Sequence, residues 1–404
     1  MSALANVISY DLDERDLRWG RVRAAMGEQG IDLLIVLPES DATDARYLAQ
    51  EVGAVLFPLE GDPWIVIGGE DSHLALTRKA WMDQRISATD QGVNRWSYGS
   101  AVAENLRKLK LAPSRVGIAG LDGSLYSHVR ALDGYALYST VTRILEALPG
   151  AEVVNAAPLM AGVRYIKSAA EISAVRAGVQ VAEAAAAAIG AAYRAGTSQA
   201  ELYRAGYAQL LEPGVGGPFG GMPMLAWCPG QWGQVRPRLV GTPTGLVEDG
   251  LCVATEIIAV VRGCFAQVAE PYVAGAVTAE QQEVFDLNIA AFEAACRAMR
   301  PGTTWREVKE RTLAVAAGTE WKITFLLHGG VDGPLFIPGD RHEDWLDDKV
   351  EAGTTLICKP HAFPADQDDQ IARSHDVTWG DMVVVREGGA ERLGTRPQEL
   401  ISYS

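Results

Sequence analysis

Along the first third of the chain, apolar positions fall into short continuous runs separated by amphipathic stretches. Leu33-Leu-Ile-Val-Leu37 is apolar throughout and predicts a buried strand, preceded by an amphipathic helix over 13–29. Further strands are predicted at 54–58, 63–68 and 114–119, with helical patterns at 72–81, 98–110 and 136–147. This alternation predicts an α/β layer domain over 1–155. Leu148-Pro-Gly150 and Ala157-Pro158 interrupt it and mark the start of a second domain over 156–404. Gly117-Ile-Ala-Gly120 does not have the GxGxxG spacing of a phosphate-cradling turn.

The second domain opens on a long Ala-rich helical pattern in which Ile172, Val175, Val179 and Ala182 share one face. An internal repeat follows. Arg194-Ala-Gly-Thr-Ser-Gln-Ala-Glu-Leu202 matches Arg300-Pro-Gly-Thr-Thr-Trp-Arg-Glu-Val308. In each copy the Gly ends a helix and the Thr-Ser or Thr-Thr can cap the next. A single duplicated pair excludes a solenoid. It predicts two related halves with a cleft where they meet, which is where ligand sites tend to lie.

Composition narrows the functions. The net charge of −15 over 404 residues argues against a nucleic-acid surface and against an anionic membrane. The first twenty residues lack a basic stretch followed by an apolar run, so no export signal is expected there. No uninterrupted apolar window long enough to span a bilayer is read either. The five cysteines form no CxxC pair. They are expected to be free, mostly buried thiols of a cytoplasmic protein.

Several strings, taken in order, resemble the pita-bread family that includes methionine aminopeptidase, aminopeptidase P, prolidase and creatinase. Arg164, Ile166-Lys-Ser168 and Glu171-Ile172 resemble the linker helix of the creatinase/prolidase branch. Thr278-Ala-Glu-Gln-Gln282 through Arg300-Pro-Gly302 resembles the second helix and its turn, Leu327-His-Gly-Gly330 the His-Gly turn, and Val383 to Leu393 the closing hairpin. The resemblance implies an α/β N-terminal domain plus an α+β pita-bread C-terminal domain with an internal pseudo-twofold repeat, assembled as a homodimer. It also implies five metal-ligand positions, Asp, Asp, His, Glu and Glu in the family. They correspond here to Glu256, Gln267, His328, Lys359 and Gly380.

Those residues change the expected chemistry. Divalent ions take oxygen ligands and neutral imidazole, whereas an ammonium is a donor-only cation. No metal ligand set and no cofactor are therefore expected. Lys359 is expected to form a buried ion pair with Glu256, taking over part of a metal's electrostatic role; the alternative is a solvated lysine. Creatinase, by resemblance, cleaves a C–N bond without metal through His and Glu, but its Glu is Lys359 here. Glu256 is read as base or nucleophile, His328 as proton donor or as a turn histidine, and Lys359 as the group facing an oxyanion.

Substrate-binding candidates are Gln267, His361, Gln234 and Glu270, the last alternatively a salt-bridge partner of Arg262. Trp227, Trp232 and Trp379 could form an aromatic wall or simply cover the sheet. Arg236, with Arg238, could grip a carboxylate. The function expected is a metal-independent, hydrolase-like enzyme acting on a C–N bond of a small molecule. The alternative is a non-catalytic pseudoenzyme that binds a small molecule or a protein.

Overall fold

In the computed structural model, described residues are 10–38, 42–51, 53–67, 81–87, 98–121, 136–212, 214–216, 223–227, 245–329, 335–336, 345–366 and 377–403. They divide into two compact units, one ending at Tyr165 and the other beginning at Ile166.

The first unit is built on a six-stranded sheet. In chain order its elements are α1 (Leu12–Glu28), β1 (Leu33–Val36), α2 (Ala42–Ala49), β2 (Ala54–Pro58), β3 (Trp64–Ile67) and β4 (Gln84–Ser87). They continue with α3 (Gly99–Lys108), β5 (Arg115–Ala119), α4 (Tyr138–Glu146), β6 (Glu152–Asn155) and α5 (Ala157–Tyr165). The sheet order is β4-β3-β2-β1-β5-β6, with β1 antiparallel to β2 and parallel to β5. Alternation along β1 explains why its run is apolar on both sides. Leu33 and Ile35 pack with Val102, Leu106 and Ile144 of α3 and α4. Leu34 stands across from Phe57, against which Trp19 of α1 lies edge-on at 5.7 Å.

The predicted α1, β1, β2, β3, α3, β5 and α4 are all present. Residues 72–80 of the helix predicted at 72–81 lie outside the described residues. The boundary falls later than the breakers at 148–158 implied. Pro158 stands in the first turn of α5, where a missing N–H costs nothing. The Asn155 carboxamide oxygen accepts from Ala157 N at 3.1 Å and caps that turn. The 157–165 segment is therefore a helix packed on α1 rather than a linker.

The second unit continues with α6 (Ala169–Ala192), α7 (Gln199–Leu210), β7 (Val215–Gly216), β8 (Met224–Trp227), β9 (Cys252–Val261) and β10 (Cys264–Ala274). After these come α8 (Ala279–Ala298), α9 (Trp305–Leu313), β11 (Trp321–Thr324), β12 (Leu327–His328) and β13 (Leu335–Phe336). The last strands are β14 (Thr355–Cys358), β15 (His361–Pro364), β16 (Asp381–Arg386), β17 (Gly389–Arg392) and β18 (Ser402–Tyr403). One sheet runs β18-β10-β9-β7 with β8 also on β9; another runs β13-β12-β14-β16-β17, and β11 pairs with β15. Arg262 and Gly263 join β9 to β10 with φ of 51° and 79°, the positive pair that a two-residue I′ turn requires.

By length and apolar composition α6 would suffice to cross a membrane. Its apolar face is instead spent on the β9–β10 hairpin. A Cβ at Gly178 would lie 2.7 Å from that of Ala266, and Tyr272 OH donates to Ala186 O at 3.1 Å.

The duplication read from the sequence is repeated in hydrogen bonds. Among the described residues, the four α-helices of this unit start in capping boxes: Ser168/Glu171 and Ser198/Glu201 in one half, Thr278/Gln281 and Thr304/Glu307 in the other. Gly196 and Gly302 turn the chain at φ 86° and 88°. Val247 O accepts from Gly196 N at 2.8 Å, and Val350 O accepts from Gly302 N at 3.0 Å. Each returning valine then donates to the threonine after the glycine, Val247 N to Thr197 O and Val350 N to Thr303 O, both at 2.8 Å. The sequence carries a second half of this signal, because Val247-Glu-Asp-Gly250 matches Val350-Glu-Ala-Gly353.

Candidate functional site

Strand alternation selects which side chains meet. Glu256 pairs across the hairpin with Ala269, and Ile258 with Gln267. Glu256, Ile258, Phe265 and Gln267 therefore share one face, and Thr255, Val268 and Glu270 the other. In the second half, His328 pairs with Ile357. Lys359 N donates to Leu326 O at 3.1 Å, which carries that register one step past β14. Leu327, Leu356 and Cys358 turn to the apolar core, leaving His328, Ile357 and Lys359 on the opposite face.

The two halves meet where Ala269 and Gly380 exchange backbone hydrogen bonds of 3.0 and 3.1 Å. Beside that bridge the Lys359 ammonium donates to Glu256 Oε1, as expected from the sequence. Lys359 is only 2% exposed, so the alternative of a solvated lysine is corrected: the ammonium is buried and paired. The His328 ring lies 5.9 Å from that of Phe265, which brings it to the same inner face. Gly380 is required by this packing. A Cβ there would lie 2.4 Å from the Lys359 Cβ and 2.8 Å from Cys358 O.

The remaining candidate residues separate. Glu270 faces the other side of the hairpin, where its carboxylate pairs with Arg396 and not with Arg262. Trp379 is 1% exposed: it meets Phe292 edge-on at 5.1 Å and lies under the guanidinium groups of Arg392 and Arg396, at 4.8 and 5.1 Å. Among the described residues it packs as a core residue. His361 pairs in β15 with Thr324 of β11 and is buried. Trp227 ends β8, its backbone paired with Thr255. Trp232, Gln234 and Arg236 lie outside the described residues.

Sequence patterning does not reveal the network behind the site. Arg396 donates to Ala269 O at 3.1 Å and Gly380 O at 2.6 Å, both carbonyls of the bridge. Asp381 accepts from Arg392 at 2.7 Å, and Glu183 of α6 accepts from Arg396 N at 3.0 Å. Burial pushes the Glu270 carboxyl up to about 7, against the pull of Arg396. Burial also raises Asp381, opposed by Arg396 and Arg392.

A folded-state value above the unfolded one means that the folded chain holds the proton more tightly. The Glu270 contribution is thus full below the unfolded value of 4.5 and is lost as pH rises through about 7. Its size is about 3 kcal/mol. Denaturant unfolding followed between about pH 5 and 7 should show stability falling, and Glu270→Gln should flatten that slope. An unchanged slope in the variant would remove Glu270 as its source.

Metallopeptidase family M24 matches residues 173–387. An uncharacterized hydrolase/peptidase of Sinorhizobium fredii, y4tL, is 24% identical over 307 residues, covering 72% of this chain and 73% of that protein. The X-Pro aminopeptidase of Thermotoga maritima superposes with a TM-score of 0.68 at 16% identity, over 95% of this chain and 99% of that one. The prolidase of Thermococcus sibiricus gives 0.69 at 15% identity, over 98% and 100%. The dipeptidase PepE of Mycobacterium ulcerans gives 0.65 at 20% identity, over 98% and 99%. At these identities the likeness is one of fold, and it establishes the pita-bread architecture with its N-terminal domain. With more than half of its length matched, the chain belongs to metallopeptidase family M24.

Proposed function

We propose that this protein hydrolyses a C–N bond of amide type in a small molecule, and does so without a divalent metal. The observation that carries the reading is the Lys359–Glu256 ion pair on the inner face. A dinuclear centre needs several anionic oxygen ligands. Here the Glu256 carboxylate is engaged by an ammonium, Gln267 is neutral, and no side chain fits at Gly380. Among the described residues no three His, Cys, Asp or Glu side chains converge. A metal pair does not fit these residues.

The residues that remain supply a base, an oxyanion-facing cation and an acid for hydrolysis. Glu256 takes a proton from water as its oxygen attacks the carbonyl carbon. The Lys359 ammonium faces the developing oxyanion. His328 gives a proton to the nitrogen as the C–N bond breaks, leaving an acid and an amine. A second reading, a binding protein without turnover, is favoured by one observation: the carboxylate that would serve as base is held by Lys359.

Elemental mass spectrometry of the untreated protein, with assays on a panel of small amides with and without chelator, tests the proposal. The expected result is a small fraction of one metal ion per chain and chelator-insensitive turnover. Stoichiometric metal with chelator-sensitive turnover would sink it. Glu256→Gln and His328→Ala are each expected to lower kcat by at least about 100-fold with the fold intact. If no amide is turned over while ligands still bind, the binding reading stands instead.

A further inference from the structure

Gln267 is 0% exposed, yet among the described residues neither its Oε1 nor its Nε2 has a hydrogen-bond partner. A buried amide with both ends unsatisfied is costly, because each atom has given up water for nothing. Its position is specific. Gln267 stands diagonally from Glu256 on the inner face, with Ile258 across from it and Phe265 and Ala269 beside it along β10.

From this we infer that Gln267 reads a neutral amide edge, an N–H and a C=O side by side, as in a lactam, a primary carboxamide or a ureide. Such an edge closes a ring of two hydrogen bonds with the carboxamide: Nε2 donates to the ligand carbonyl, and Oε1 accepts from the ligand N–H. Other ligand classes leave one atom unpaired. A carboxylate satisfies Nε2 alone, and an ammonium satisfies Oε1 alone. The neighbouring charges already neutralise each other in the Lys359–Glu256 pair, so the face presents no net charge to an ion. The inference deepens the hydrolase reading and rests on it in one respect: the held amide edge presents its C–N bond to Glu256 and Lys359.

Calorimetric titration of the full-length protein with 2-pyrrolidone and N-methyl-2-pyrrolidone tests this. The two lactams have nearly the same shape, and only the first carries the N–H. The first is expected to bind at least about tenfold more tightly, as one lost hydrogen bond to a buried acceptor implies. Gln267→Leu should abolish that preference without lowering the melting temperature, since the amide has no partner among the described residues. Equal affinities, no saturable binding of either lactam, or a preference that survives in Gln267→Leu would each overturn the inference. So would a lowered melting temperature in both Gln267→Leu and Gln267→Met, which would put the amide's partners inside the protein. If Gln267→Leu does not fold, the comparison of the two lactams on the wild type still decides. The two readings fail separately. Metal-dependent turnover with intact lactam preference removes only the metal-free hydrolase. Metal-free turnover indifferent to Gln267→Leu removes only the amide-edge site.

Discussion

Lys359→Met is expected to destabilise the protein by about 3 kcal/mol, because it takes the buried ammonium away from the largely buried Glu256 carboxylate. For a unit of this size that corresponds to a fall in melting temperature on the order of 6–10 °C. Glu256→Gln should cost a similar amount, since it leaves a 2%-exposed ammonium without its charge partner. The double variant Lys359→Met/Glu256→Gln should recover most of the loss. A buried ion pair replaced on both sides often costs little, whereas breaking one side costs much. A double-mutant cycle by denaturant titration measures the coupling directly. Additive single effects would mean that the pair is incidental. Turnover separates stability from chemistry here. The double variant should fold well and remain inactive, because the oxyanion donor and the base are both gone.

The parts of this arrangement that are legible in the sequence share a physical cause. Lys359 can be placed inside because Leu356-Ile-Cys358 is an apolar run, and an interior strand leaves its next residue no water. The halves can be paired because the same turn needs a Gly at positive φ and a cap after it, at Gly196 and again at Gly302. Partner choice is where nearness along the chain misleads. Arg262 is close to Glu270 in sequence, but it sits in the hairpin turn, more than about 20 Å along an extended strand from that residue. Trp379 suggests a substrate contact because it is a large aromatic residue that could join Trp227 and Trp232 in a wall. In the fold its ring is taken up by Phe292 and by the guanidinium groups of Arg392 and Arg396. Arg396 gives no local signal at all. It lies beyond the closing hairpin, and its partners Glu270, Ala269 and Gly380 are brought to it only by the tertiary fold.

Arg396→Leu is expected to be at least as damaging as Lys359→Met at high pH, and its cost should depend on pH. The guanidinium faces Glu270, and Asp381 at 3.7 Å, while also holding the Ala269 and Gly380 carbonyls. Removing it deprives both carboxyls of a charge that lowers their pKa, so both rise further. At pH 8 the folded chain must then either keep the buried Glu270 carboxylate without Arg396 or protonate it, at a cost of about 4 kcal/mol, while Asp381 keeps Arg392. Near pH 5 Glu270 is already largely protonated in the folded state, and the loss should fall to about half. Arg396→Lys keeps the charge but cannot reach two carbonyls and a carboxylate at once, and should fall between the wild type and Leu. Denaturant titrations at both pH values decide the matter. A loss independent of pH would mean that Arg396 acts through its carbonyl contacts and its stacking on Trp379 rather than through its charge. The substitution should also lower turnover beyond its effect on stability. Arg396 clamps the Ala269–Gly380 bridge, and it is that bridge which brings Lys359 within reach of Glu256.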